Sequence, residues 1–351
     1  MSHVGIIGTG SYLPVHIMTN DDLSNLVDTS DEWIRTRTGI RERRISTGMS
    51  TSDLAYEAGK RALENAGLKP EDIDLIICAT ITPDYFMPSC ACIVQEKLGA
   101  IDAAAFDLVA ACTGMIYGMV TAEQFIKSGM YENVLVIGSE TLSRVLDWED
   151  RSSCVLFGDG AGAVVMSKAK KGGRILASNL EADGSRNTLL TCSAIPLQNP
   201  YVNSEGKGSL SGTNGAFKLP KINMLRQPKQ ELYKLPKINM LGQEVFKYAV
   251  RTITDNINNI LSKARLTKKD IAFIIPHQAN FRIIEQASRL CKIPIDKFFM
   301  NLENYGNTSA ASIGIALDEL VADKKLNTGD KVILVGFGGG MTSGSILLEW
   351  I

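Results

Sequence analysis

The chain has 351 residues, 45% of them hydrophobic and 21% charged, with a formal net charge of -1. That length and apolar content suffice for one large core or two coupled ones and exclude a disordered chain. A charge so near zero excludes general electrostatic attraction to nucleic acid or membrane. No apolar run reaches the roughly 18 residues of a spanning helix, so a cytoplasmic protein is expected.

In chain order, residues 1–8 read as a strand entering glycines. Gly5-Ile6-Ile7-Gly8-Thr9-Gly10 lacks the third glycine and the following helix of a dinucleotide fingerprint, so a tight strand-turn-strand is expected rather than a pyrophosphate site. Residues 62–77 predict an amphipathic helix, a polar turn and an all-apolar strand leading to Cys78. Cys90 and Cys92 form a CxC pair with neither a nearby His nor a second pair, which argues against a metal. Val109-Ala110-Ala111-Cys112-Thr113-Gly114 then opens an apolar helix over 114–125. A thiol at a helix N-terminus is favoured as its anion, which marks Cys112 as a nucleophile. Seven Cys without paired spacing fit a reducing compartment, and Cys78, Cys154, Cys192 and Cys291 read as small buried hydrophobes.

Residues 134–138 predict a strand buried on both faces. Gly158-Asp159-Gly160-Ala161-Gly162-Ala163 passes straight into a strand over 163–166, again a tight turn rather than a nucleotide loop. The octapeptide at 218–225 recurs unchanged at 234–241, as a recent tandem duplication in a surface loop would leave it. An altered entrance to the site is the alternative.

Residues 260–275 repeat the pattern of 62–77 at an offset of 198, and 332–336 repeat 134–138 at the same offset. Two similar α/β halves, 1–172 and 173–351, are therefore expected, each with a central sheet covered by helices. His277 follows the apolar run Ile271-Ala272-Phe273-Ile274-Ile275-Pro276. Asn307 falls in the loop before a helix over 311–320 that matches the Cys112 helix. All three polar residues thus lie at strand-to-helix connections, where α/β proteins build sites. Of three His, two stand near the start at His3 and His16, which leaves His277 as the partner of Cys112. The cluster Gly336-Phe337-Gly338-Gly339-Gly340-Met341 lets bare backbone approach a reacting atom and supply an oxyanion donor.

Together these residues resemble β-ketoacyl-acyl carrier protein synthase III, the initiating condensing enzyme of type II fatty acid synthesis. The resemblance runs nearly end to end, through 8–14, 28–34, 37–43, the Cys112 segment, 157–162, His277-Gln278-Ala279-Asn280 and the Gly338 cluster. It implies a thiolase-like α/β fold, two pseudo-symmetric halves in α-β-α-β-α layers, and a homodimer. It further implies that Cys112 accepts an acyl group from acyl-CoA. His277 and Asn307 would then hydrogen-bond the thioester carbonyl of malonyl-acyl carrier protein as carbon dioxide leaves, in a dry pocket. The backbone N–H groups of Cys112 and Gly339 would form a second oxyanion hole, with Asn280 as a support for His277. Trp33, Arg37 and Arg151 are implied at coenzyme A. Met87, reaching across the dimer, is implied at the acyl pocket with Leu142, Phe157 and Phe246; Gln278, Arg282 and Lys247 are implied at the carrier protein. No cofactor or metal is implied, coenzyme A thioester being a substrate.

Rival chemistries differ by what is missing. A thiolase typically carries a second Cys in the C-terminal glycine cluster, and 337–344 contain none. A hydroxymethylglutaryl-CoA synthase uses a Glu base after Cys78, but between Glu71 and Glu96 stand only Asp72, Asp74 and Asp84. Elongating synthases need two active-site His. A specialised priming enzyme of polyketide or quinolone synthesis stays open, as does, more remotely, a papain-like cysteine hydrolase.

Overall fold

The structure is a computed structural model that describes residues 3–168, 171–194 and 236–351. The first copy of the repeated octapeptide, 218–225, lies outside the described residues; of the second copy, 236–241 are described.

The chain opens with β1 (Val4–Tyr12), then a ribbon of β2 (Ile17–Thr19) and β3 (Glu42–Arg44) that brackets α1 (Asn20–Ser24) and α2 (Asp31–Thr38). Next come α3 (Thr51–Ala66), β4 (Leu75–Ala79), α4 (Cys90–Leu98), β5 (Ala104–Leu108), α5 (Gly114–Ser128), β6 (Val134–Glu140) and β7 (Gly160–Lys168). β8 (Gly173–Ala182) leads to a second ribbon of β9 (Leu190–Cys192) and β10 (Ile238–Met240), the latter from the second copy of the octapeptide. The remainder is α6 (Gly242–Ala264), β11 (Ile271–Pro276), α7 (Phe281–Cys291), α8 (Leu302–Tyr305), α9 (Ser312–Ala322), β12 (Lys331–Gly338) and β13 (Thr342–Trp350).

Local chemistry sets the helix ends. α3 starts on a reciprocal capping box between Ser50 and Asp53 and stops at Gly67, whose φ of 74° suits glycine. The repeat is kept in register: Ala66 ends α3 and Ala264 ends α6, and Gly114 opens α5 where Ser312 opens α9, each pair 198 residues apart.

Nine strands form one sheet in the order β11-β12-β13-β8-β1-β7-β6-β4-β5. It consists of two runs, β1-β7-β6-β4 and β8-β13-β12-β11, matched strand for strand. They join at a seam of two residue pairs, Gly5 with Arg174 and Ile6 with Gly173. The halves therefore share one continuous sheet rather than owning separate ones. Where the first run has β5 at its edge, the second has a single parallel bridge between Ile274 and Phe298.

Three apolar layers hold this sheet. α3 and α4 cover one face of the first run through Leu54, Ala58, Ala62 and Val94. α6 and α7 cover the second run through Ile253, Ile257 and Ile284. Between the runs, Met115, Ile116, Ile313 and Leu317 of α5 and α9 pack against Ile77, Val136, Leu334 and Ile346, which yields the α-β-α-β-α layering. Each fully buried Ile or Leu contributes about 1.5–3 kcal/mol, so the central layer is a large part of what fixes α5 against α9.

Both glycine motifs turn out to serve this packing. Gly8 and Gly10, expected at a turn, lie inside β1, where a Cβ would collide with the α3 backbone around Ala58, Ala62 and Ala66. Gly162 in β7 gives α9 the same close approach at Gly314 and Ile315. Among the described residues no helix is long and apolar enough to cross a membrane.

Candidate active site

Two turns related by the repeat stand together at the centre of the molecule. The 3₁₀ turn Ala111–Thr113 enters α5, and the 3₁₀ turn Ser309–Ala311 enters α9. Ala111 and Ser309, again 198 apart, both hold left-handed backbone, with φ of 46° and 47°. Such a conformation costs a non-glycine residue of order 1–3 kcal/mol and concentrates at functional sites. Hydrogen bonds hold it in place. Thr113 Oγ1 donates to the Ala110 carbonyl at 2.7 Å and lies 2.7 Å from Thr342 Oγ1, while the Ser309 N–H donates to Asn307 Oδ1 at 2.8 Å.

Cys112 lies in the first turn, just before the helix it was expected to open, and is 6% exposed. Burial pushes its thiol up to about 12, against the Ser309 hydroxyl and its own backbone N–H, which favour the anion; the Glu140 carboxylate adds to the rise. The resting sulfur is therefore a thiol. The glycine cluster presses directly on this turn: a Cβ at Gly338 would lie 2.8 Å from the Cys112 nitrogen.

His277 ends the β11 connection, its N–H donating to the Val335 carbonyl at 2.8 Å, and is 1% exposed. Burial lowers its imidazole to about 3, so it is neutral at physiological pH. Its Nδ1 lies 2.8 Å from Ser312 Oγ, which also accepts from the Gln278 N–H at 3.4 Å. A Ser312 hydroxyl that donates to Nδ1 places the ring hydrogen on Nε2, where it can act as a donor. The edge of Phe337 packs on the ring at 5.4 Å between centroids. Asn307 is pinned beside Phe157, its N–H donating to the Leu156 carbonyl (2.8 Å) and its carbonyl accepting from Gly158 (3.0 Å). Asn307, Ser309 and Ser312 all come from the one turn into α9.

A cavity of about 1060 Å³ reaches Cys112 and Ser309. Leu142, Phe157, Leu190 and Ile238 supply apolar wall, and Gly339 and Thr342 line it as well; His277 and Asn307 are not among its lining residues. Cys192, expected to be a buried core thiol, is half-buried and lines the cavity. Phe246 does not line it: its ring borders a separate open groove between α6 and α7 with Val250 and Leu290. Met87 is 87% exposed, next to exposed Tyr85 and Phe86 at the cavity mouth, and does not line the cavity of its own chain.

Two further expectations are corrected. Gln278 is 1% exposed; its amide donates to the carbonyls of Pro276 (2.7 Å) and Phe299 (3.3 Å) and accepts from the Asn301 N–H (3.0 Å), so it cannot meet a partner surface. Asn280 caps α7, accepting from the Arg282 N–H at 2.8 Å, and the support on His277 comes from Ser312 instead. Trp33, Arg37 and Arg151 do come together. Both guanidinium groups sit over the indole, 4.6 and 5.4 Å from its centroid. Arg282 and Lys247 are exposed, Arg282 Nε donating to the Thr36 carbonyl at 3.0 Å and Lys247 pairing with Glu244 at 2.8 Å.

Glu140, which the sequence did not single out, is fully buried at the end of β6. It accepts from Thr82 Oγ1 (2.5 Å), Thr80 Oγ1 (3.2 Å) and the Ile81 N–H (3.2 Å). Burial raises its carboxyl to about 7. The segment after Cys78 thus has an acidic neighbour after all, brought by β6. The pattern around it reads as an ordinary buried strand end; the one signal was a charged residue closing an all-apolar run. Among the described residues no group of His, Cys, Asp and Glu is arranged to hold a metal.

Sequence profiles of 3-oxoacyl-[acyl-carrier-protein] synthase III and of its C-terminal part match residues 106–184 and 261–350. A β-ketoacyl-[acyl-carrier-protein] synthase III of Clostridium acetobutylicum is 49% identical over 350 residues, covering 100% of this chain and 99% of that protein. One from Caldanaerobacter subterraneus subsp. tengcongensis is 50% identical over 347 residues, covering 99% and 97%. Among solved structures, the 3-oxoacyl-[acyl-carrier-protein] synthase III of Aquifex aeolicus superposes with a TM-score of 0.85 at 44% identity, covering 99% of this chain and 100% of that one. The priming β-ketosynthase of the R1128 polyketide pathway gives 0.83 at 32% identity, covering 99% and 96%.

Proposed function

We propose that this chain, which belongs to the β-ketoacyl-[acyl-carrier-protein] synthase III family, carries the acyl group of its reaction on Cys112. The chain is a condensing acyltransferase that performs the initiating step of fatty acid synthesis. Its higher identity to enzymes so named, 49% against 32% for the polyketide priming enzyme, favours that role over specialised priming. The observation that carries the site reading is Cys112 at the wall of an apolar cavity, with the Asn307 and Ser309 turn beside it and the Gly338 backbone against its nitrogen.

Acyl-CoA is bound with its nucleotide against Trp33, Arg37 and Arg151, and its acyl chain between Leu142 and Phe157. The Cys112 sulfur attacks the thioester carbonyl, whose developing charge the N–H groups of Cys112 and Gly339 receive. Coenzyme A leaves as the thiol. Malonyl-acyl carrier protein then enters past Arg282 and Lys247. His277 Nε2–H and the Asn307 amide donate to its thioester oxygen as carbon dioxide leaves, and the enolate so formed attacks acyl-Cys112. A neutral imidazole suits this task, because it holds a donor in a dry site without bringing a charge into it. The bond changes balance without a cofactor. Residues 1–172 supply Cys112 and 173–351 supply His277 and Asn307. Met87 with Tyr85 and Phe86 forms the surface through which a second copy would complete the acyl pocket of a homodimer.

The test separates the half-reactions. Cys112→Ala should abolish acyl transfer from acyl-CoA. His277→Ala and Asn307→Ala should keep acylation in part and stop decarboxylative condensation. Equal loss of both half-reactions in all three variants would overturn these roles.

A further inference from the structure

The cavity takes its width from two segments that part at a fork in the sheet. β4 and β6 run parallel as far as Ala79 beside Gly138. Beyond that pair, the chain after β4 lines the cavity from Thr80 to Phe86, and the chain after β6 lines it at Leu142, Arg144 and Val145. A segment with one face on an open cavity has no packing partner on that side and must be held from behind.

Glu140, the last residue of β6, is fully buried and is not among the lining residues. Among the described residues, every hydrogen bond its side chain accepts comes from the segment across the fork. Thr82 Oγ1 donates at 2.5 Å, Thr80 Oγ1 at 3.2 Å, and the Ile81 N–H lies 3.2 Å from both carboxylate oxygens. The Thr141 N–H crosses the same fork to Thr82 Oγ1 at 3.0 Å. From α3, Thr51 is also fully buried and outside the lining. Its Oγ1 donates to the Thr82 carbonyl at 2.6 Å and lies 2.7 Å from Thr141 Oγ1. A buried carboxylate without a cation is a costly way to fill space, and an apolar side chain would do that better. What the carboxylate supplies is geometry: its two oxygens hold three donors of one segment at once, and a fully satisfied buried network is stiff.

We propose that Glu140 and Thr51 are positioning residues that fix the spacing of the two walls and thereby select the length of acyl chain the cavity takes. Neither side chain lines the cavity, so both act through Thr80 to Thr82 rather than by touching the acyl chain. Loss of Glu140 strands three donors at the back of this segment, which must turn elsewhere to be satisfied. The wall then shifts, and a chain of the wrong length no longer meets a fixed surface.

This selection rests on the proposed acyl-Cys112, and the test keeps the two apart. Acylation of Cys112 is timed by quenched-flow intact mass with a straight-chain series from acetyl-CoA to decanoyl-CoA, in wild type, Glu140→Ala, Glu140→Gln and Thr51→Val. The quantity read is the ratio of rates for the preferred acyl-CoA and the next longer one. A residue that only stabilised the fold would change the amount of active protein for every acyl-CoA alike and leave that ratio unmoved. The ratio should fall about tenfold in Glu140→Ala, the discrimination that a methylene or so in an apolar pocket supplies. It should fall by a smaller factor in Thr51→Val. Glu140→Gln should keep most of it, since one amide oxygen can accept from both threonines. A wild-type ratio in Thr51→Val would overturn the proposal even if Glu140→Ala failed to fold, as would a wild type that accepts every chain length equally. Absence of any acyl group on wild-type Cys112 would instead remove the acyl-Cys112 on which the selection depends.

Discussion

Replacing Gly338 by alanine tests how tightly the glycine cluster is pressed on the Cys112 turn. The added Cβ would lie 2.8 Å from the Cys112 nitrogen, 3.1 Å from the Thr113 nitrogen and 3.2 Å from the Ala110 oxygen. All three are backbone atoms that cannot rotate away. Since non-bonded carbon contacts are optimal at about 3.5–4.0 Å, the turn or the end of β12 must give by roughly half an ångström or more. Overpacking of this kind costs about 1–3 kcal/mol, a few degrees in Tm. The larger effect should be on chemistry, because the displaced group carries both the sulfur and a proposed oxyanion donor. A misplacement approaching 1 Å can lower a rate about 10²-fold, so a loss of about tenfold to 10²-fold in acylation is expected. Quenched-flow intact-mass measurement of acyl-Cys112, with Tm alongside, reads both. Gly48→Ala, where an added Cβ meets nothing within 4 Å, serves as the control. A Gly338→Ala protein that melts and acylates like wild type would refute the close approach and the role built on it.

Other expectations follow from the same geometry. Ser312→Ala removes the partner of His277 Nδ1 and should slow decarboxylative condensation about tenfold while leaving acylation near wild type, as loss of one buried hydrogen bond of about 1–1.5 kcal/mol predicts. Protonation of His277, lowered from 6.5 to about 3, is resisted only in the folded state, so it should weaken the protein by up to about 1.4 kcal/mol per pH unit as pH falls below 6.5. Glu140, raised from 4.5 to about 7, gives the opposite slope between those two pH values, stability rising as pH falls through them. Urea unfolding of His277→Gln against wild type isolates the His277 share, and parallel curves would contradict it. Trp33→Ala should raise KM for acyl-CoA on the order of tenfold with little change in kcat, since stacking on a base contributes about 1–3 kcal/mol. An unchanged KM would place coenzyme A elsewhere.

The halves were legible because a buried strand followed by an amphipathic helix leaves the same apolar pattern wherever it recurs, and the 198-residue offset survives from Ala66 and Ala264 to the strained Ala111 and Ser309. As candidates, Cys112 was legible from the apolar helix that follows it, His277 from the apolar run before it and Asn307 from the loop before α9. Side-chain direction was not. Gln278, polar and next to a candidate site residue, looks like surface until the carbonyls of Pro276 and Phe299 are seen to claim its amide. Phe246 has the right character for a pocket wall, but α6 turns it to another groove. Glu140 escaped because its partners, Thr80 to Thr82, come from a segment far away in sequence. The Gly5 to Gly10 motif looked like a turn because nothing local announces that a helix backbone lies on it.

The most direct test of the account is intact-mass spectrometry of the protein after exposure to a panel of acyl-CoAs, with Cys112→Ala beside it. A stable gain of one acyl group in wild type, absent from the variant, is the predicted result, and the acyl-CoA that reacts fastest identifies the primer. An equal gain in Cys112→Ala, or no gain in wild type with any acyl-CoA, would contradict it.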